Sequence, residues 1–95
     1  MDTNEAISKL QQMKPYLQQE YAVKRMGLFG STARCAHTDS SDVDILVEFE
    51  RPVGVEFIDL SYLLEKELNR KVDVVSRKGI KDKYFKEIEK DIVYV

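Results

Sequence analysis

Hydrophobic and polar residues alternate most regularly between residues 42 and 49. Val43, Ile45 and Val47 are apolar, whereas Asp42 and Asp44 occupy the alternate positions beside them. A repeat of two is the side-chain period of a β-strand, whose successive residues point to opposite faces of a sheet. We therefore predict a strand with one apolar face, which the proline and glycine that follow soon afterwards bring to an end.

Three other segments predict strands. Residues 23–30 (VKRMGLFG) carry mostly apolar side chains before Gly30, which is typical of a buried strand that ends abruptly. Residues 71–76 (KVDVVS) are rich in valine, which is favoured in strands. Residues 92–95 (IVYV) predict a short terminal strand.

In two segments the apolar period lengthens to 3.6, the repeat of an amphipathic helix. Because their apolar residues recur at this period, residues 55–69 and 81–92 are predicted to be helices. The first has its apolar stripe at Phe57, Leu60, Leu64 and Leu68, and the second has its apolar face at Tyr84, Phe85, Ile88 and Ile92.

Two further helices are predicted from their first residues. Asn4 is placed to cap a helix at the N-terminal end, and Ser31 is placed to cap a short helix that runs through Cys35. Pro15 lacks a backbone N–H and clashes with the preceding turn of a helix, so we expect it to break or restart the first helix.

Helices and strands thus alternate along the chain, which predicts an α/β (α+β) fold with a small mixed sheet flanked by helices. The 95 residues suffice for one hydrophobic core, so residues 1–95 are expected to form a single domain. Hydrophobic residues make up 43% of the chain and charged residues 34%, which is ordinary for a globular protein and excludes a disordered or collagen-like chain.

Charge and hydropathy exclude several kinds of partner. The net charge of −2 offers no cationic field for a nucleic-acid backbone, so direct nucleic-acid binding is not expected. Apolar runs are far shorter than the roughly 18 residues of a membrane span, and the first residues lack the apolar core of a signal peptide. We expect a cytoplasmic protein. Cys35, the only cysteine, forms no internal disulfide and is compatible with a reducing compartment.

Asp42 and Asp44 are candidate metal ligands. They lie two residues apart on a predicted strand, so their carboxylates leave the same face and their Cα atoms are about 6.5–7 Å apart. Two anions this close repel unless a cation neutralises them, and carboxylate oxygens suit Mg²⁺. Asp73 alternates with valines on another predicted strand and is a third candidate. Three acids on two strands suffice for two metal ions.

Gly30 and Ser31 are candidate phosphate ligands. A glycine without a Cβ lets a phosphate approach the backbone, and the unpaired amides of a helix start donate hydrogen bonds to it together with the serine hydroxyl. Arg34 follows about one helical turn later, where its guanidinium can bind a phosphate or brace the acidic segment.

Each of these features has an ordinary explanation when it is taken alone. Asp42 and Asp44 can be the solvent face of an edge strand, and Asp73 an exposed strand residue. The Gly30–Ser31 pair can be a simple strand-to-helix turn. Arg34 is equally well explained as a partner in a surface ion pair. It is the combination, at this spacing, that favours a polyphosphate and metal site.

The combination resembles the DNA polymerase β superfamily. Gly30-Ser31 is followed after ten residues by Asp42-x-Asp44 and later by the strand acid Asp73. The short length and the pattern SDVDILVEFE are similar to the minimal nucleotidyltransferases, the MNT antitoxins that are paired with HEPN toxins. The resemblance implies the nucleotidyltransferase palm fold of that superfamily.

The resemblance also implies a mechanism. Asp42 and Asp44 would bind two Mg²⁺ ions, and Asp73 would contact the catalytic ion and accept the acceptor's proton. Gly30 and Ser31 would hold the triphosphate of ATP. In this family AMP is placed on a tyrosine of the HEPN toxin, which silences its RNase activity in a type VII-like toxin–antitoxin pair. One departure is Cys35, because members usually carry glycine directly after the arginine.

A second hypothesis is a catalytically idle antitoxin that neutralises its toxin by binding. Three clustered carboxylates favour the enzyme, since binding alone gives no reason for them. A transferase for small molecules is disfavoured because no helical acceptor domain accompanies the predicted site, so the acceptor is expected to be a macromolecule.

Overall fold

The structure is a computed structural model that describes residues 3–30 and 42–95. The predicted helix that begins at Ser31 lies outside the described residues, together with Arg34 and Cys35. The elements, in chain order, are α1 (Thr3–Tyr21), β1 (Val23–Phe29), β2 (Val43–Phe49), α2 (Val55–Leu68), β3 (Val72–Ser76), a 3₁₀ turn (Arg77–Gly79), α3 (Asp82–Glu89) and β4 (Val93–Tyr94). The α/β class and the four predicted strands are confirmed.

The four strands form one mixed sheet in the order β3-β2-β1-β4. β2 pairs with β3 in parallel, whereas β1 pairs antiparallel with both β2 and β4. The sheet is mixed as predicted, although the sequence pattern left open which strands are parallel. Because β2 has a neighbour on each side, it is an interior strand.

One face of the sheet carries the hydrophobic core. Val43, Ile45 and Val47 are at most 2% exposed, because α1 and α2 cover this face of β2. From α2 the predicted stripe residues Leu60, Leu64 and Leu68 are buried, while Phe57 is half-buried. Each fully buried leucine or valine contributes about 1.5–3 kcal/mol through removal of apolar surface from water. The burial of these side chains fixes which face of β2 turns outward.

The other face of the sheet is covered in part by α3. Phe85 stacks under the guanidinium of Arg77, whose carbon lies 3.9 Å from the ring centroid. Arg77 also pairs with Asp82 at 3.0 Å. On the same face Arg25 donates two hydrogen bonds to Glu48 and lies over the Tyr94 ring. These contacts hold α3 and β4 against the sheet.

The expectation that Pro15 interrupts the first helix is wrong, because α1 continues to Tyr21. An interior proline costs about 3 kcal/mol or more. The residues beyond it offset that cost, since Leu17 is fully buried, which contributes about 1.5–3 kcal/mol, and Tyr21 also packs on the core. Next to the proline, the Lys14 ammonium donates a hydrogen bond to the Val95 carbonyl at 2.9 Å.

The last predicted helix is shorter than expected. α3 ends at Glu89 rather than near residue 92, because the chain turns there into β4. Ile92 lies against β1, since a Cβ built on Gly27 would be 2.7 Å from the Cγ2 atom of Ile92. Tyr84 does not share the covered face, since it is 47% exposed. In the described ranges no helix is long and apolar enough to cross a membrane.

Candidate active site

The strand register brings the predicted acidic residues to one corner of the sheet. Asp44 on β2 is the direct partner of Asp73 on β3, and Phe29 at the end of β1 is its partner on the other side. Neighbouring strands lie about 4.8 Å apart. Asp42 precedes β2 by one residue, so Asp42, Asp44 and Asp73 lie where β1 ends and the two parallel strands begin. We call this place the acidic corner.

These acids lie on the face of the sheet away from the core. Val43 and Ile45, which flank Asp44, point into the core, so Asp44 points to the opposite side. Asp44 is half-buried, and Asp42 and Asp73 are exposed. The explanation of Asp42 and Asp44 as the solvent face of an edge strand is wrong, because β2 is an interior strand.

Gly30 touches the central acid of this group. It has a φ of +69°, a backbone conformation that residues with a Cβ rarely adopt. A Cβ placed on it would lie 2.5 Å from the Asp44 carboxylate oxygen Oδ2, so an added side chain would have to displace that carboxylate. The sequence suggested glycine here as room for a phosphate. The structure adds a second reason, because the same space is needed for the Asp44 carboxylate.

The donor set suits a hard divalent cation. Three carboxylates belong to this corner by their positions on the strands, and oxygen ligands of this kind are those that Mg²⁺ prefers. Within residues 3–30 and 42–95, however, no three acidic, histidine or cysteine side chains stand ready as one group of metal ligands. The backbone register of Asp44 and Asp73 therefore fits a metal site, whereas closing the three carboxylates on an ion requires side-chain rotation.

The predicted site residues are thus only partly placed. Gly30, Asp42, Asp44 and Asp73 lie together at the corner. The predicted phosphate ligands Ser31 and Arg34 lie outside the described residues, so their roles stay predictions. A separate apolar groove at the far end of β2 was missed from the sequence. Its available signal was Ile58, an apolar residue of α2 that does not belong to the buried stripe.

The chain is thus an α/β protein whose four-stranded mixed sheet has acids at one corner, next to a glycine of positive φ. A family model described as the nucleotidyltransferase domain matches residues 10–95. The chain belongs to this nucleotidyltransferase family, and the resemblance drawn from its sequence motif is confirmed.

Curated relatives share most of their length with this chain. The protein adenylyltransferase MntA of Thermococcus cleftensis is 39% identical over 83 residues, which cover 86% of this chain and 84% of the relative. A protein of Methanocaldococcus jannaschii, whose name provisionally assigns protein adenylyltransferase activity, is 43% identical over 90 residues, 90% of each chain. The predicted enzyme class is confirmed by these relatives.

Solved structures have the same fold. A chain provisionally named as a minimal nucleotidyltransferase superposes with a TM-score of 0.86 at 26% identity, covering 98% of this chain and 95% of that one. The complex of a tri-AMPylated Shewanella oneidensis HEPN toxin with its MNT antitoxin contains a chain that matches with a TM-score of 0.62 at 19% identity, covering 97% and 66%. At that identity the second likeness concerns the fold.

Proposed function

We propose that this chain transfers AMP from ATP to a tyrosine hydroxyl of a partner HEPN toxin, as the antitoxin of a toxin–antitoxin pair. The observation that carries the proposal is the in-register pairing of Asp44 with Asp73 beside Gly30. Support comes also from the relatives that are named protein adenylyltransferases and from the tri-AMPylated toxin in the Shewanella oneidensis complex.

In this proposal Asp42, Asp44 and Asp73 hold two Mg²⁺ ions. When bound, the ions would supply positive charge to the transferring phosphoryl group and the departing pyrophosphate. The phosphates would bind at Gly30 and Ser31, where backbone amides and a hydroxyl are expected, and Arg34 would contribute a charge-assisted hydrogen bond. The exposure of Asp42 and Asp73 leaves this corner open to a large acceptor.

The transfer is a single displacement. The tyrosine oxygen forms a bond to the α-phosphorus of ATP while the bond between that phosphorus and the bridging oxygen breaks, and pyrophosphate leaves. Asp73, exposed at the start of β3, accepts the phenolic proton. The Asp44 carboxylate lies in the space that a side chain at Gly30 would occupy.

An antitoxin that only binds its toxin is the alternative. Substituting Asp73 by asparagine separates the two functions, because an amide keeps the size of the side chain but removes its charge and its capacity as a base. We expect Asp73→Asn to keep partner binding and to lose most AMP transfer. Glu87→Gln is the matched control, since it makes the same change from acid to amide at an exposed residue of α3 that is not one of the three corner acids.

The measurement is a single-turnover assay in which the proposed partner, a HEPN protein, is incubated with ATP, Mg²⁺ and each variant. Mass spectrometry then counts AMP-sized increments on the HEPN protein and locates them. Two results together would contradict the enzymatic proposal and favour the binding antitoxin. The wild-type chain would neutralise the HEPN protein without modifying it, and Asp73→Asn would neutralise it equally well.

A further inference from the structure

An apolar groove lies at the end of the sheet opposite the acidic corner. It has a volume of about 530 Å³, and its lining includes Phe49, Pro52, Val53, Phe57 and Ile58 together with Lys78. We call it the distal groove. Phe49 and Phe57 meet edge to face there, with ring centroids 6.2 Å apart.

The distal groove is separate from the proposed catalytic site. Asp44 lies at the beginning of β2 and Phe49 at its end, five residues later. At about 3.3 Å per residue of strand, the two points are roughly 17 Å apart. A molecule that fills the groove therefore leaves the acidic corner accessible.

Apolar surface continues from the groove along α2. Ile58 lines the groove and is 53% exposed, while Val55 and Tyr62 on the neighbouring turns are 69% and 67% exposed. Their spacing places the three on one helical stripe, which spans about 10 Å. α2 therefore has two apolar sides, the buried one that faces the core and this exposed one. A contiguous exposed apolar surface of this kind is typical of an interaction site.

The charges around the groove favour an acidic occupant. The acid that lines it, Glu48, is already paired with Arg25 at 3.0 Å, and the neighbouring Glu56 is paired with Arg51 at 3.9 Å. Lys78 is exposed, and among residues 3–30 and 42–95 it has neither an ion-pair nor a hydrogen-bond partner. Its ammonium is therefore available to a carboxylate.

We propose that the distal groove and the exposed stripe of α2, formed by Val55, Ile58 and Tyr62, bind a segment of the acceptor protein. This segment combines apolar side chains with an acidic one. This inference rests on the proposed function for the identity of the acceptor, the HEPN toxin. A small molecule in the groove would leave Tyr62, two turns from Val55, uncovered, whereas a protein segment covers groove and stripe together. The acidic side chain of the segment pairs with Lys78.

Docking at this distance has a kinetic consequence. A partner held at the distal groove keeps its acceptor tyrosine near the acidic corner, which raises the local concentration of the hydroxyl without changing the chemistry there. Variants of the groove should therefore raise the KM for the HEPN protein and leave kcat nearly unchanged. They should also leave the binding of ATP and Mg²⁺ at the other end of the sheet as in the wild type.

Two pairs of matched variants test the proposal. Lys78→Glu and Tyr62→Ser alter the docking surface, and Lys83→Glu and Tyr84→Ser make the same changes at exposed residues of α3. Titration calorimetry measures the Kd of each for the HEPN protein. We expect each docking variant to weaken binding roughly tenfold or more, as is usual when a buried interface anchor is lost, and each control to stay within about twofold. The effect of Lys78→Glu should shrink as salt screens its charge.

The outcomes separate this inference from the proposed function. Docking variants that bind the HEPN protein as tightly as the controls would overturn the groove proposal, as would a wild-type chain that does not bind it. The wild-type chain could instead form a dimer that Tyr62→Ser dissociates, while the affinity of this variant for the HEPN protein stays unchanged. That result would assign the surface to a second copy of the chain. Binding that depends on the groove without AMP transfer would overturn only the proposed function. Circular dichroism tests whether each variant is folded, and Lys78→Glu changes an exposed side chain.

Discussion

The acidic corner and the distal groove lie at opposite ends of β2 and differ in polarity and in the elements that form them. The corner is polar, is formed by residues from three strand ends, and contains a glycine whose backbone conformation residues with a side chain rarely adopt. The groove is mostly apolar and is formed by the ends of β2 and β3, the start of α2 and the turns that follow the two strands. Chemistry needs groups held at fixed positions by a shared register, whereas docking needs exposed apolar area, so one small sheet can carry both without conflict.

The largest expected effect comes from removing the charge of the corner while leaving the groove intact. The double substitution Asp42→Asn and Asp44→Asn should abolish the stabilisation of the fold by ATP with Mg²⁺, because two of the three proposed metal ligands lose their charge. A ligand at a hundred times its Kd stabilises a protein by about 2.7 kcal/mol, which a thermal-unfolding scan resolves.

Affinity for the HEPN protein should stay close to that of the wild type in this double variant. Thermal shifts recorded with ATP alone, with ATP and EDTA, and with ATP and Mg²⁺ provide the control. An Mg²⁺-dependent shift that persists in the double variant would argue against metal binding at these acids.

A smaller effect is expected from Gly30→Ala, which tests the geometry of the corner. The new methyl group would meet Asp44 Oδ2, and the positive φ would be strained, which together should cost about 1–3 kcal/mol of folding free energy. Because the Asp44 carboxylate must move, AMP transfer should fall by more than stability alone explains.

Gly79→Ala is the matched control for this substitution. A Cβ at Gly79 would make an ordinary contact of 3.7 Å with Ser76, so its unfolding free energy should stay near that of the wild type in denaturant titrations. Equal stability of the two alanine variants would show that the close contact at Gly30 relaxes without cost.

The smallest effect concerns the two sides of α2. Ile58→Ala should change the free energy of unfolding by about 0.5 kcal/mol or less, because the side chain is more than half exposed. Leu60→Ala, two residues away and fully buried, should cost about 2–5 kcal/mol through lost burial and a cavity. Urea titrations of both variants measure the difference, and a large loss in Ile58→Ala would mean that the exposed stripe supports the fold rather than a partner.

Most secondary structure was predictable because its signals are local. The alternation around Asp44 and the 3.6-residue stripe of α2 require only that each segment bury one face, and both elements have the predicted kind and nearly the predicted bounds. Pro15 was misjudged for the opposite reason. The cost of a proline is a local property, whereas the burial of Leu17 that offsets it depends on where α1 packs.

For the candidate site, the shared face of Asp42 and Asp44 follows from the strand period alone. The contact between Gly30 and Asp44 does not, since β1 and β2 had to pair in one particular antiparallel register to create it. The full lining of the distal groove could not be predicted either. Most of it comes from residues 48–58, but residues 76 and 78 are brought beside them only by the parallel pairing of β3 with β2.

By itself the sequence determined the alternation of helices and strands, the apolar face of each, and the motif that identifies the nucleotidyltransferase family. These properties depend on the chemistry of neighbouring residues and on the fixed periods of helix and strand. Only the tertiary structure decided the strand order, the pairing of Asp44 with Asp73, the continuity of α1 through Pro15 and the groove at the far end of β2. Each of these depends on contacts between segments distant in the chain, whose free energy is settled by packing of the whole molecule rather than by any local pattern.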